Sequence, residues 1–173
     1  MGDQTPKSEM VETPMPDFSD LIAKLSEAKA GSRELDAAIG AAIRIFPSDN
    51  PPSWVTNWAG PFVAHPTLAG SVALGHSDGA IGMHWRAAPV TTSVDAALAL
   101  IEKRLPDRFP ILIKNRYRHT ETPKGREWSA ELGGDEHVEV VASTPALAFC
   151  LALLVALREQ QIDAALKPEG GET

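Results

Sequence analysis

The chain has 173 residues, of which 43% are hydrophobic and 23% are charged, and its net charge is −7. Its one cysteine excludes a disulfide framework and a zinc site built from cysteines. The longest apolar stretch, the 13 residues from Pro145 to Leu157, is shorter than the roughly 18 residues that suggest a membrane span. The N-terminus lacks the apolar segment of a secretory signal, so we expect a soluble cytoplasmic protein without membrane association.

The two ends of the chain differ in composition from its body. Residues 1–16 contain three prolines and no hydrophobic period, and residues 168–173 read PEGGET. Both segments are typical of disordered tails. Residues 17–167 are left as the body, a length typical of one domain.

Two short helices open this body. The first is predicted over residues 17–29, with Asp17 or Ser19 as its N-cap and Gly31 as its end. Ser32 is the expected N-cap of the second, which is predicted from Arg33 to Arg44 because its apolar residues recur with a helical period.

The stretch from residue 47 to residue 88 is rich in proline and tryptophan and looks like an insert. We expect an irregular connection with one short strand around residues 54–58. Residues 71–86 alternate in polarity on either side of Asp78-Gly79, which predicts a β-hairpin.

After the hairpin, one helix and then three strands are predicted. A helix is predicted over residues 93–104, because Ser93 is a good N-cap and Pro106 ends the pattern. Strands with a period of two are then predicted over residues 110–118, 127–132 and 137–142.

A last helix is predicted from Thr144-Pro145 to about residue 165. Its first half is apolar almost all round. Either both faces are buried within one chain or one face forms a homodimer.

These elements indicate an α+β fold in a single domain. Hairpin-connected strands with helices between the groups predict an antiparallel sheet with helices packed on it, rather than a parallel doubly wound sheet.

Four segments then resemble a known family: residues 31–39 (GSRELDAAI), 92–98 (TSVDAAL), 128–132 (WSAEL) and 142–150 (ASTPALAFC). In this order they are similar to small phage and prophage proteins with a phage ABA-sandwich domain. The resemblance covers roughly residues 31–158, except for the insert, and implies an α/β/α-type sandwich in a phage or prophage setting. It implies no catalytic residues.

Three motifs are candidates for catalysis or metal binding. Residues 75–79 (GHSDG) match the nucleophile elbow of serine hydrolases, but strand-like alternation follows them where an elbow needs a helix. His76, Asp78 and His84 are the best trio for a metal, yet their spacing is not that of a zinc motif. Cys150 lies in an apolar helix, where cysteine is usually a small hydrophobic residue. We therefore expect no catalytic residue, metal or cofactor.

Charge is strongly polarised along the chain. Residues 103–126 carry a net charge of +6, and the remainder carries −13. The candidate anion site on the strand and in the loop after it consists of five cations: Lys114, Arg116, Arg118, Lys124 and Arg126. The alternative is a solvated face balanced by Glu127, Glu131 and Glu139 across the strands. The acidic whole argues against binding of duplex DNA.

Trp58 and Trp85 complete the candidate ligand site. A tryptophan can floor a pocket for a planar ligand, although a domain of this size also uses tryptophan to fill its core.

The leading functional hypothesis is a non-enzymatic phage or prophage accessory protein that binds a partner or ligand. The first alternative is a module that sequesters a small, anionic, nucleotide-like ligand. The second is a small serine hydrolase that acts through Ser77.

Overall fold

A computed structural model describes residues 17–48, 50–108, 111–116, 127–133 and 137–166. The described helices are α1 (Ser19–Glu27), α2 (Arg33–Ala42), α3 (Ser53–Thr56), α4 (Val94–Arg104) and α5 (Pro145–Leu166). The described strands are β1 (Phe62–Ala64), β2 (Ser71–Gly75), β3 (Ile81–Arg86), β4 (Ile111–Arg116), β5 (Glu127–Leu132) and β6 (Val138–Ala142). The proposed tails at residues 1–16 and 168–173 lie outside the described residues.

Three of the helices have an N-cap side chain at the residue that the sequence predicts. Ser32 Oγ accepts from the backbone N–H of Leu35 at 3.2 Å, and Ser93 Oγ accepts from that of Ala96 at 3.2 Å. Thr144 Oγ1 accepts from the N–H of Leu147 at 3.2 Å. Each bond satisfies one of the N–H groups that a helix start leaves without a partner.

The bounds of α1 are narrower than predicted. The helix begins at Ser19 and ends at Glu27, before Gly31. Asp17 Oδ1 accepts from the N–H of Ser19 at 2.9 Å, so Asp17 orders the turn that leads into the helix.

The described strands form two antiparallel sheets. The first has the order β1-β2-β3 and the second has the order β4-β5-β6. Gly79 has φ +82° in the tight turn between β2 and β3, a conformation that glycine adopts without steric cost. The predicted hairpin is confirmed, and so is the α+β class with helices packed on antiparallel strands.

One element of the insert was predicted wrongly. Residues 53–56 form the short helix α3, and the strand of this region is β1, at residues 62–64. Periodicity cannot assign this element, because its 4 residues are far fewer than the roughly 11–18 over which a helical period is recognised.

The main core surrounds the first half of α5. Both faces of this half are buried within the chain, including Leu147, Phe149 and Leu153. They contact α1, α4 and the inner face of β5 and β6, where Ala130 and Leu132 are fully buried. Of the described helices, α5 alone is long and apolar enough to cross a membrane by length and composition, but its burial is that of a core helix.

A second, smaller core lies between α2 and the first sheet. Its buried residues are Ala37, Val72 and Ala87, and the rings of Phe62 and Trp85 pack against them. Ile39, on another face of α2, belongs to the main core. Helix α2 therefore lies between the first sheet and the main core.

Candidate functional site

The basic strand predicted as an anion site is β4, of which the structure describes residues 111–116. Its register places Lys114 opposite Ser129 and Arg116 opposite Glu127. Arg118, Lys124 and Arg126 lie outside the described residues. Residues directly opposite each other share a face of the sheet, so both described cations lie on a face that carries acidic positions.

More acidic positions follow on the same face. Glu131 lies opposite Glu139 across β5 and β6, and Glu139 Oε1 accepts from the hydroxyl of Ser129 at 3.1 Å. Two carboxylates directly opposite each other favour a cation nearby, and position 114 is diagonal to position 131. This arrangement suits the mixed-charge face that the sequence offers as the alternative, while the anion site stays a prediction.

Trp85 packs the first sheet onto the segment after α2. Its indole Nε1 donates to the carbonyl oxygen of Ile45 at 3.0 Å. Its ring makes edge contacts with Phe46 and Phe62, with centroids 4.9 and 5.5 Å away. The indole is half-buried, so Trp85 combines a structural role with a partly exposed ring.

A cavity of about 230 Å³ lies beside Trp85, between α2 and the first sheet. Its walls include Val72, Arg86 and Ala87, and the buried carboxylate of Asp36 lies next to it. The cavity thus brings an aromatic ring and a cation together at one opening.

Both oxygens of the Asp36 carboxylate accept hydrogen bonds from other residues of the chain. Oδ2 accepts from Arg33 Nη1 at 2.8 Å. Oδ1 accepts from the backbone N–H of Thr91 at 2.8 Å and from its hydroxyl at 2.7 Å. A buried carboxylate needs such partners, because removal from water strongly disfavours its charge. Asp36 is therefore a structural tie between α2 and the connection before α4.

Arg33 extends this tie to the first sheet. Its Nη2 donates to the carbonyl oxygens of Ala87 at 2.7 Å and of Gly70 at 3.3 Å. Arg33, Asp36 and Thr91, which we call the polar tie, thus join three segments at the entrance to α4. No local sequence pattern indicates this contact, because Thr91 and Asp36 are 55 residues apart in the chain.

Trp58 lies in different surroundings from Trp85. Its ring makes an edge contact with the ring of His76, with centroids 4.9 Å apart. Its Nε1 is buried and has no hydrogen-bond partner among the residues that the structure describes. Trp58 does not line the cavity beside Trp85, so the two tryptophans are separate candidates.

The GHSDG segment is the turn of the β2–β3 hairpin. Asp78 Oδ1 accepts from the N–H of Ala80 at 3.0 Å, and Gly79 N–H donates to the carbonyl of His76 at 3.0 Å. A nucleophile elbow requires a helix directly after the serine, whereas β3 follows Ser77. The geometry around Ser77 is that of a hairpin.

Cys150 is buried in α5. Its thiol lies 3.3 Å from the carbonyl oxygen of Val90. Burial, with a further contribution from the charge of Asp36, raises the pKa of the Cys150 thiol to about 12. The thiolate is the nucleophilic form of cysteine, so this side chain acts as a small hydrophobic residue, as predicted.

The histidines of the first sheet are dispersed. His65 and His84 have ring centroids 5.0 Å apart, while His76 contacts Trp58. Within the described ranges, no three His, Cys, Asp or Glu side chains are grouped so that they would hold a metal ion.

Strand β3 is a surface that sequence analysis missed. The alternation of Ile81, Met83 and Trp85 predicts a strand of the hairpin, and in the structure Ile81 is 39% exposed and Met83 is 52% exposed. In the part of the chain that the structure describes, β3 pairs with β2 alone and forms an edge of the first sheet. Alternation reveals that two faces differ, but it does not show that either is covered.

Comparisons of this chain with protein-family models, with curated proteins and with solved structures find no match.

Proposed function

We propose that the protein is a non-enzymatic, cytoplasmic accessory protein of phage or prophage type, which acts by binding an extended segment of a partner protein along β3. The phage setting rests on the resemblance of the four sequence segments. The binding mode rests on one observation: β3 is an edge strand with exposed apolar side chains.

The hydrogen bonds of β2 determine which backbone groups of β3 point outward. His65 N–H donates to the carbonyl of Ser71, so the odd-numbered residues of β2 bond to β1. Val72, opposite Trp85, bonds to β3 instead. Since inward and outward residues alternate along an edge strand, His84 and Arg86 direct their N–H and C=O groups away from the sheet.

Such an edge suits the addition of a strand. Main-chain hydrogen bonds provide the affinity in this mode of recognition, and side-chain contacts provide the specificity. Here Ile81 and Met83 offer apolar contacts, and methionine adapts well to different partners. Exposed apolar edges otherwise promote aggregation, and therefore a physiological partner strand is the occupant that we propose.

A proline scan of the two edges tests this proposal. His84→Pro removes an outward N–H from β3 and leaves the β2–β3 ladder intact, because edge strands tolerate proline. Ala64→Pro is the matched control, since residues 62 and 64 direct their N–H groups outward on the opposite edge, β1. Both variants should keep a cooperative thermal transition.

Partners are then isolated from phage-infected or lysogenic cells with each variant and identified by mass spectrometry. We expect one protein to be lost with His84→Pro and Met83→Lys and to be retained with Ala64→Pro. Retention of every captured protein by a folded His84→Pro variant would refute strand addition at β3.

Sequestration of a small nucleotide-like anion is the second candidate function. It is supported by Trp85 and Arg86, which line the same cavity. A thermal-shift panel of nucleotides tests it, because ligand at 100 times its dissociation constant should stabilise the fold by about 2.7 kcal/mol. No shift across the panel would refute it.

A further inference from the structure

A second recess lies on the opposite side of α2 from the first sheet. It is a groove of about 310 Å³ between the beginning of α1, the ends of α2 and α4, and the second half of α5. Phe18, Leu157 and Ala164 form apolar parts of its wall, while Arg104, Gln160 and Gln161 contribute polar groups. Among the residues that the structure describes, no carboxylate lines this groove, although the chain as a whole has a charge of −7.

One of the cations in the groove is Arg104, at the end of α4. Its Nη2 donates to the carbonyl oxygens of Ile43 at 2.6 Å and of Arg44 at 3.3 Å. These bonds cap the end of α2, where carbonyl groups lack helical partners. They occupy one of the three guanidinium nitrogens, and among the described residues Nη1 and Nε make no hydrogen bond to protein.

The environment of Arg104 favours an added anion. Burial lowers the pKa of its guanidinium, and within the described ranges no carboxylate forms an ion pair with it. A partly desolvated cation gains more from a bound anion than a fully hydrated one, because the lower local dielectric strengthens their attraction.

Arg44, which accepts from Arg104 just after the end of α2, is itself held in place. Arg44 has φ +53°, a left-handed conformation that is uncommon for a residue other than glycine. Its guanidinium donates to the carbonyls of Trp58 and Gly60 and lies 4.8 Å from the centre of the Phe62 ring. These contacts hold the backbone of Arg44 in the position from which its carbonyl accepts from Arg104.

Helix α5 separates charged and uncharged positions around the groove. Residues 157, 160, 161 and 164 are spaced as one helical face and carry no charge, whereas Glu159 and Asp163 line a different recess, beside His137. The groove is therefore lined by two arginines, Arg44 and Arg104, by two carboxamides and by an apolar wall, and no carboxylate of a described residue lines it. The guanidinium of Arg44 already donates to the carbonyls of Trp58 and Gly60, so that of Arg104 is the cation left for a ligand.

We propose that this groove binds a small anion that carries an apolar chain, with its carboxylate or phosphate on Arg104 and its chain along Phe18, Leu157 and Ala164. Gln160 and Gln161 donate amide N–H groups to the same anion. The volume is near the lower end of the roughly 300–1,000 Å³ of ligand pockets, which suits a short chain. This site is independent of the partner strand at β3.

Calorimetric titration with three probes of equal chain length tests the chemistry. Octanoate and octyl phosphate carry the anion, whereas octanol has the same chain without a charge. We expect both anions to bind, octanol to bind at least tenfold more weakly, and added salt to weaken only the anions. Equal binding of octanol and octanoate would overturn the role of Arg104.

Two pairs of variants test the location. Ala164→Trp fills the apolar end of the groove, and Ala165→Trp adds the same bulk at the next exposed position of α5, outside it. Arg104→Gln removes the cation, and Lys24→Gln makes the same change of charge on the exposed side of α1.

We expect a loss of octanoate affinity of at least tenfold in Ala164→Trp and Arg104→Gln, and no loss in either control. Arg104→Gln also removes the hydrogen bonds that cap the end of α2. If Arg104→Gln does not fold, the affinity of Ala164→Trp decides whether the groove is the binding site. Unchanged affinity in a folded Ala164→Trp variant, or an equal loss in Ala165→Trp, would place any binding elsewhere and overturn the proposal.

Discussion

The two cores of this protein are held together by different interactions. Around α5, ten helix residues are buried, and apolar contacts with α1, α4, β5 and β6 enclose them. Between α2 and the first sheet, the buried apolar cluster has three members among the described residues. There the polar tie of Arg33, Asp36 and Thr91, together with the hydrogen bond of Trp85, joins the segments.

This difference between the two cores explains where the cavity at Trp85 and the exposed edge β3 are found. The first half of α5 is buried on both faces, whereas the smaller core borders the cavity at Trp85 and carries the exposed edge β3. A sheet with little apolar cover keeps surface available for recognition, and specific hydrogen bonds then supply the order that apolar packing does not.

The largest expected effect tests the apolar core. Leu153→Ala should destabilise the fold by about 2–5 kcal/mol, because Leu153 is fully buried and its truncation leaves a cavity. Urea denaturation measures the change. Ile162→Ala, at an exposed position of the same helix, should cost less than about 0.5 kcal/mol, and equal costs would show that α5 is not the centre of a core.

The polar tie should matter almost as much in the smaller core. Asp36→Asn should cost about 2–3 kcal/mol, because it removes the charge that Arg33 and Thr91 bind inside the protein. The measurement is the same urea titration, with the exposed Asp163→Asn as control. If Asp36→Asn left the free energy of unfolding almost unchanged, apolar contacts and not the polar tie would stabilise this region.

A close backbone contact beside the tie gives a third test. A Cβ at Gly31 would lie 2.1 Å from the carbonyl oxygen of Thr91, which is part of the backbone. Gly31→Ala should therefore cost about 1–3 kcal/mol through overpacking, visible as a lower melting temperature. A variant as stable as the parent would disprove this close approach.

Cys150, a member of the main core, supplies a pH test. Its pKa is raised in the folded state from 9.0 to about 12, so the protonated thiol is favoured by folding. This shift in the pKa of the thiol stabilises the folded state fully below pH 9. The stabilisation is lost between about pH 9 and 12, at about 1.4 kcal/mol per pH unit.

Urea titrations of the parent and of Cys150→Ala at pH 8 and pH 10 measure this loss as a difference between the two proteins. The stability of the parent should fall by about 1 kcal/mol more than that of Cys150→Ala. A parallel fall in both would show that the thiol is exposed.

A small effect is expected on the face of the second sheet opposite to Ala130 and Leu132. Arg116→Glu should change stability by less than about 1 kcal/mol, because position 116 alternates with the inward positions of β4. If Arg116 also belongs to an anion site, the variant should lose binding of a polyanion such as heparin. An unfolded variant would mean that the register of β4 is different.

Removal of residues 1–16 should leave the melting temperature essentially unchanged, since no periodic apolar residues are present there to pack on the body. Differential scanning calorimetry of both chains measures this, and a loss of several degrees would contradict it.

Much of the local structure could be predicted from the sequence. The caps Ser32, Ser93 and Thr144 and the Asp78-Gly79 turn depend on neighbouring residues, and each is found where it was predicted. The candidate sites depend instead on residues distant in the chain. Arg104 meets the end of α2 across about 60 residues, and no periodicity of α4 indicates where its last side chain will lie.

By itself, the sequence determined the α+β class, the hairpin and the capped start of α5, because these follow from hydrophobic period, capping and turn chemistry over a few residues. Only the tertiary structure decided that the strands divide into two sheets, that Gly31 leaves room for the backbone of Thr91, and that β3 remains an uncovered edge. The physical reason is that a local pattern specifies which face of an element is apolar, whereas the partner that covers this face is selected by packing between distant segments.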